Sequence, residues 1–305
     1  MTNDIHTTPR ALRRPTTTYS GTPDRSGAST HHHDSATTSG IWLDARGDHG
    51  PNVLLIAGLG DPAEAWASQL DHLAATHRVA AFDNRGVGRT PLPATALTVA
   101  SMADDALEVM DTVGYDTAHV IGFSGGSVIA QELALRHPGR VDTLTLVGTW
   151  ARADRYFRAM FEAWRWMAEH APTPRAFYEA FFVWVYTPRA HESGLVATIV
   201  DEALRFPHQQ SVDAFHRQLD AFLAHDALHR LPAIEAPTLV VAGELDLVCP
   251  PRLGRIVADA IDGAHFELLT GEAHQPFQES PERFHDLLRR FWDDLSPSPS
   301  SKMGP

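Results

Sequence analysis

One serine stands among glycines at Gly122-Phe123-Ser124-Gly125-Gly126, where a short apolar run gives way to helical periodicity. A G-x-S-x-G pattern at such a junction predicts a tight turn that exposes the hydroxyl, because glycines let strand and helix approach closely. The helix that follows offers backbone N–H groups and a partial positive charge to a developing anion. A serine hydroxyl attacks a carbonyl only with a base to take its proton and an acid to orient that base. In the chain order serine, acid, histidine, the candidates are Asp246 in Gly243-Glu244-Leu245-Asp246 and His274 in Gly271-Glu272-Ala273-His274. Glu244 is a rival acid, but it stands nearer its strand and should point elsewhere. The oxyanion needs two aimed N–H donors: Gly125, directly after the nucleophile, and Leu59 in Ala57-Gly58-Leu59-Gly60, with Gly60 as the fallback.

These residues need elements to hold them. Apolar runs at Val53–Ile56, Arg78–Phe82, His119–Ile121, Leu144–Val147, Thr238–Val241 and His265–Leu269 predict buried parallel strands. Helical periodicity fills the intervals near 62–75, 98–113, 126–137, 251–261 and 281–294; the last opens on Ser280-Pro281-Glu282, an N-cap followed by proline. The alternation predicts an α/β fold with a parallel sheet covered on both faces. Its ligand site should lie at the carboxyl ends of the strands, where all the candidate residues fall.

The alternation stops between about 152 and 230. That stretch holds 14 of the 26 aromatic residues, among them Trp164, Trp166, Phe177, Phe181, Phe182, Trp184, Phe206 and Phe222. Pro172, Pro174, Pro188 and Pro207 divide it into helical segments. It is expected to be a helical cap with its own aromatic core, closing an apolar pocket over the sheet. Phe123, Trp150, Phe181 and Trp184 are the expected substrate contacts. The resulting boundaries are a tail at 1–39, the core at 40–151 and 231–295, the cap at 152–230, and a second tail at 296–305. Both tails are rich in Ser, Thr and Pro and are expected to be disordered.

The chain has 305 residues and a formal net charge of −13, which opposes a nucleic-acid-binding surface. No apolar run approaches the roughly 20 residues a transmembrane helix needs, and one cysteine, Cys249, cannot build a disulfide scaffold. Arg13-Arg14 is followed by Pro15-Thr16-Thr17-Thr18 and not by an apolar export segment, so the expectation is a cytoplasmic protein. No metal is expected: His31-His32-His33 is a run in a tail, and His225 and His229, four apart on a presumed helix, lack a third ligand. Arg152, Arg155 and Arg158 stand ready for a substrate carboxylate or, in the commoner case, form a solvated helix face.

On Gly122–Gly126, Gly243–Asp246, His274 and the turn Asp83-Asn84-Arg85-Gly86-Val87-Gly88-Arg89-Thr90, residues 41–295 resemble the α/β-hydrolase superfamily. Within it, the chain is similar to the cap-bearing group that includes 3-oxoadipate enol-lactonase-like and aclacinomycin methylesterase-like proteins. The resemblance implies a mostly parallel eight-stranded sheet, a helical cap after the sixth strand, and cofactor-free hydrolysis of a carboxylic ester or lactone. Two departures stand out. Ala57 replaces a histidine that supports the oxyanion loop in those proteins, and Gly125 replaces a bulkier residue, which should widen the pocket floor. The aromatic cap suits a hydrophobic small molecule, as in secondary metabolism. The same residues would also serve C–C bond hydrolysis, cofactor-free peroxidation or a rearrangement. A ligand-binding protein with a vestigial triad is the alternative from another class.

Overall fold

A computed structural model describes residues 32–295. Its sheet contains eight strands: β1 (His32–Ala36), β2 (Trp42–Arg46), β3 (Asn52–Ile56), β4 (Arg78–Phe82), β5 (Ala118–Phe123), β6 (Val141–Val147), β7 (Thr238–Gly243) and β8 (His265–Leu269). The spatial order is β1-β2-β4-β3-β5-β6-β7-β8. The pairs β1–β2 and β2–β4 are antiparallel and all others parallel. In β3 the four residues Val53–Ile56 are wholly buried. Leu54 and Ile56 face one apolar core while Val53 and Leu55 face the other, as expected of a strand covered on both sides. Helices α1 (Ala67–Leu73), α2 (Val99–Thr112) and α3 (Gly125–Arg136) alternate with the first strands.

Between β6 and β7 the chain forms α4 (Arg155–His170), α5 (Pro174–Val185), α6 (Pro188–Glu192), α7 (Leu195–Arg205) and α8 (Val212–Ala224). The side chains of Asp154, Thr173, Thr187 and Ser211 cap four of them, each accepting a backbone N–H three residues on. Pro174 and Pro188 sit at the first helical positions, where the missing N–H costs nothing. An isolated bridge between Arg152 and Asp226 closes the base of this insertion. Helices α9 (Pro251–Ala260), α10 (Pro276–Glu279) and α11 (Pro281–Leu295) complete the fold. Among the described residues no helix is long and apolar enough to cross a membrane.

Three expectations need correction. Residues 32–36 lie inside the stretch read as tail, yet they form the sheet's edge strand β1. Their sequence, HHDSA, has no apolar alternation to betray it, and the order comes from pairing with β2. Helix α8 ends at Ala224, so His225 and His229 do not share a helix. Trp166 is 63% exposed and stacks on His170 at the surface instead of joining the aromatic core. Of the two expected tails, residues 1–31, with His31 and Arg13-Arg14, and 296–305 lie outside the described residues.

Helix α3 meets the end of strand β3 closely. A Cβ on Gly126 would overlap the carbonyl oxygens of Ile56 and Ala57, which are backbone atoms and cannot rotate away. Gly126→Ala is therefore expected to lower the unfolding free energy by about 1–3 kcal/mol. Gly139→Ala, where no atom lies within 4 Å of the added carbon, should stay within about 0.5 kcal/mol of wild type. Urea midpoints check both, and equal midpoints for the two variants would contradict the close approach.

Candidate active site

Ser124 sits between β5 and α3 with φ 51° and ψ −120°, and it is the one non-glycine residue among those described with a positive φ. Such a conformation costs of order 1–3 kcal/mol and persists only where the surroundings enforce it. Here Ser124 N–H donates to Val147 O at 2.8 Å, and Ser127 Oγ lies 2.6 Å from Ser124 O. Thr149 Oγ1 is 2.9 Å from Ser127 Oγ and accepts from Gln131 Nε2, which also bonds Trp150 O. This buried row under the turn was missed at the sequence level, although Ser127 and Gln131 recur at the four-residue spacing of one helix face.

The structure brings Ser124, Asp246 and His274 together. Ser124 Oγ lies 2.9 Å from His274 Nε2, and His274 Nδ1 lies 2.8 Å from Asp246 Oδ2. The other carboxylate oxygen of Asp246 accepts the N–H groups of Val248 and Cys249, each at 2.8 Å. With both oxygens engaged, the acid cannot swing, and the imidazole is held with its Nδ1 proton on Asp246 and Nε2 free to receive the serine proton. All three residues are buried, so their attractions are weakly screened. Gly148, at the end of β6 with φ 57°, leaves room for the ring: a Cβ there would lie 2.8 Å from His274 Cε1. Glu244 is exposed and accepts from Gly271 N–H, away from the histidine.

Leu59 stands in the loop after β3, next to Gly58, where an added Cβ would lie 3.1 Å from Ser124 Cβ. The fallback donor, Gly60 N–H, is taken by Gln218 Oε1 at 3.2 Å. Asn84 Nδ2 donates to Ala57 O at 3.0 Å, so the D-x-R-G-type turn fastens the loop that lacks the family's histidine. That turn is itself held by Asp83, which accepts from Ala63 N–H and Arg89 N–H, and by the Arg85–Asp105 pair at 2.6 Å.

A cavity of about 940 Å³ lies between the loop after β3 and the inserted helices. Leu59, Gly60 and Asp61 line it from the loop after β3, and Phe177, Phe181, Phe182, Leu195, Ile199 and Phe215 form much of its wall. Ser124 and His274 are not on that wall, being covered to 9% and 4% exposure. Of the expected contacts, Phe181 lines the cavity and three do not. Phe123 turns to the opposite face of the sheet, packed on Trp66 and Phe277 with its ring 4.7 Å from that of His274. Trp150 is buried between Phe157 and Phe222, and Trp184, one turn beyond Phe181 on α5, is half-buried on the core. Arg152, Arg155 and Arg158 are exposed and none lines the cavity, so they form the solvated face. His225 is buried 3.4 Å from Gln131 Oε1 while His229 is exposed, and the two do not converge.

The space at Gly125 does not widen the pocket. The ring of Phe222, from α8, occupies the place a Cβ on Gly125 would take. Gly125→Ala should therefore destabilise the fold, and Phe222→Leu should relieve part of that loss. Urea unfolding of the single and double variants is expected to show a coupling of about 1 kcal/mol or more; additive effects would contradict the contact.

With this geometry in hand, the comparisons with known proteins are consistent. The family model for the alpha/beta hydrolase fold matches residues 51–281. A protein of Azorhizobium caulinodans bearing the name carbamate hydrolase RutD is 33% identical over 246 residues, covering 81% of this chain and 92% of that protein. Its namesake in Variovorax paradoxus is 36% identical over 237 residues, with 74% and 88% covered. Among solved structures, the enol-lactonase of Burkholderia xenovorans is 26% identical with a TM-score of 0.76, over 86% of this chain and 100% of that one. The elbow, the sheet order and these likenesses agree: the chain is a hydrolase belonging to the α/β-hydrolase fold family.

Proposed function

We propose that the chain is a serine hydrolase cleaving a carboxylic ester or lactone of a hydrophobic small molecule, in the cytoplasm and in the setting of secondary metabolism. The observation that carries this reading is the unbroken row Ser124 Oγ–His274–Asp246 behind a strained serine at a helix N-terminus. Ser124 Oγ attacks the carbonyl carbon as His274 Nε2 takes its proton, and Asp246 stabilises the imidazolium. The tetrahedral oxyanion is received by the N–H groups of Leu59 and Gly125, aided by the amino end of α3. His274 returns the proton to the departing alkoxide, leaving an acyl group on Ser124. Water, deprotonated by His274, then attacks the acyl carbon and frees the acid.

The cavity supports an apolar substrate, since its wall is chiefly aromatic and aliphatic. The names carbamate hydrolase and enol-lactonase both describe cleavage at a carbonyl carbon bearing a heteroatom leaving group, which is the step this row of residues performs.

Nitrophenyl esters of short and medium chain length, with a nitrophenyl carbamate for comparison, test the reading. Wild type should turn over the esters, Ser124→Ala should lose roughly 10⁴-fold or more in kcat/KM, and Asp246→Asn should lose a comparable factor. A fluorophosphonate should add its mass to Ser124 in wild type alone. A folded wild type that neither turns over nor is labelled would overturn the proposal.

A further inference from the structure

Asp61 follows the oxyanion loop and is used by none of the steps above. Its position is set by close packing: a methyl placed on Gly58 would lie 3.1 Å from Ser124 Cβ and 3.2 Å from Asp61 Oδ2 at once. The carboxyl and the nucleophile are thus neighbours across the width of one methyl group. Asp61 also lines the cavity, beside Leu59 and Gly60. It accepts one long hydrogen bond, from Gln275 Nε2 at 3.5 Å. Gln275 is otherwise engaged through Oε1 by the Tyr186 hydroxyl. Among the described residues no arginine is paired with Asp61, in contrast to the buried acids Asp83, Asp105 and Glu132.

The groups around it leave it without a cationic side-chain partner among the described residues. His274 faces it from the loop after β8, while Tyr178 and Tyr186 face it from α5 and its end. Burial pushes both phenols up, so they stay neutral at ordinary pH. Glu64, Glu202, Arg205 and His208 also line the cavity, but all four are exposed to solvent, which screens them: Glu64 is held by Arg89, and Arg205 is turned to Asp201. Burial pushes the Asp61 carboxyl up to about 7 against the pull of His274. A half-buried carboxylate with one long hydrogen bond and no cationic partner is stabilised most by a cation brought in with the substrate.

We propose that Asp61 sets the charge preference of the site, receiving a cationic, ammonium-type group of the substrate and excluding substrates that carry a carboxylate near the scissile carbonyl. The inference deepens the hydrolase reading and rests on it. The net charge of −13 acts in the same direction, drawing cations toward the molecule and repelling anions. The exposed arginines at 152, 155 and 158 are not placed to reverse this at the cavity.

The test pairs trimethylammonium-bearing esters with their uncharged tert-butyl isosteres, the group being carried on the acyl side or on the alcohol side. The ratio of kcat/KM within a pair cancels every effect of pH that bears on both esters alike. As pH rises from 5.5 to 8.5 Asp61 loses its proton, and the ratio should rise about tenfold for at least one pair. Asp61→Asn should flatten the ratio across pH, and Asp61→Glu should restore its dependence. A flat ratio in wild type for both pairs, or an unchanged rise in Asp61→Asn, would overturn the proposal; if Asp61→Asn does not fold, the wild-type ratio decides alone. Calorimetric binding of the same esters to Ser124→Ala reads the preference without turnover. Absence of hydrolysis with a pH-dependent preference for the cation would sink the hydrolase reading and leave the charge preference standing.

Discussion

The whole arrangement depends on one steric constraint, the close approach of β5 and α3 that holds Ser124 at positive φ. A β-carbon at Gly122 would overlap Gly126 O and lie 2.8 Å from Ala130 Cβ, so the strand can run into the helix only with glycine there, and Gly126 is needed in turn where the helix meets the carbonyls of Ile56 and Ala57. The strain is sustained because α3 is buried along most of its length and cannot shift to relieve it. Ser127, Thr149 and Gln131 then fix the peptide under the turn by hydrogen bonds inside the core. A buried polar row of this kind holds one geometry well because each of its alternatives would leave a donor or acceptor unpaired.

The same economy places the other two members. Asp246 is fixed by two backbone N–H groups before it meets His274, and Gly148 supplies the gap into which the imidazole fits. His274 N–H donates to Val185 O at 3.0 Å, so the loop that carries the base is tied to the end of α5. Phe222 reaches from α8 into the space at Gly125. The inserted helices therefore touch the chemistry at two points, and their packing and the position of the triad are one structural problem. The loop after β3 is anchored from another side, through Asn84 and Ala57 O, so the missing histidine leaves it supported by different atoms.

Much of this was legible because the central strands are buried on both faces and so read as unbroken apolar runs. The elbow was legible because glycine is demanded there by geometry, and the order of Ser124, Asp246 and His274 because each lies just beyond a readable strand. What sequence hid depends on contacts between distant segments. The edge strand β1 is polar and owes its order to β2. Phe123 was expected at the substrate, but its position on the strand sends it to the far face beside Trp66 and Phe277. Gly125 promised space, and a phenylalanine almost a hundred residues away fills it. Asp61 gave only a faint signal, an acid two positions after the presumed donor. Its significance comes from what the fold withholds from it, an arginine partner.

The central claim is that the strained serine and two backbone donors form one site. The most direct measurement is a crystal structure of the enzyme after reaction with a fluorophosphonate. The account predicts a bond from phosphorus to Ser124 Oγ, with the phosphonyl oxygen about 3 Å from the N–H groups of both Leu59 and Gly125. An adduct on another residue, or a phosphonyl oxygen turned away from those two donors, would contradict it.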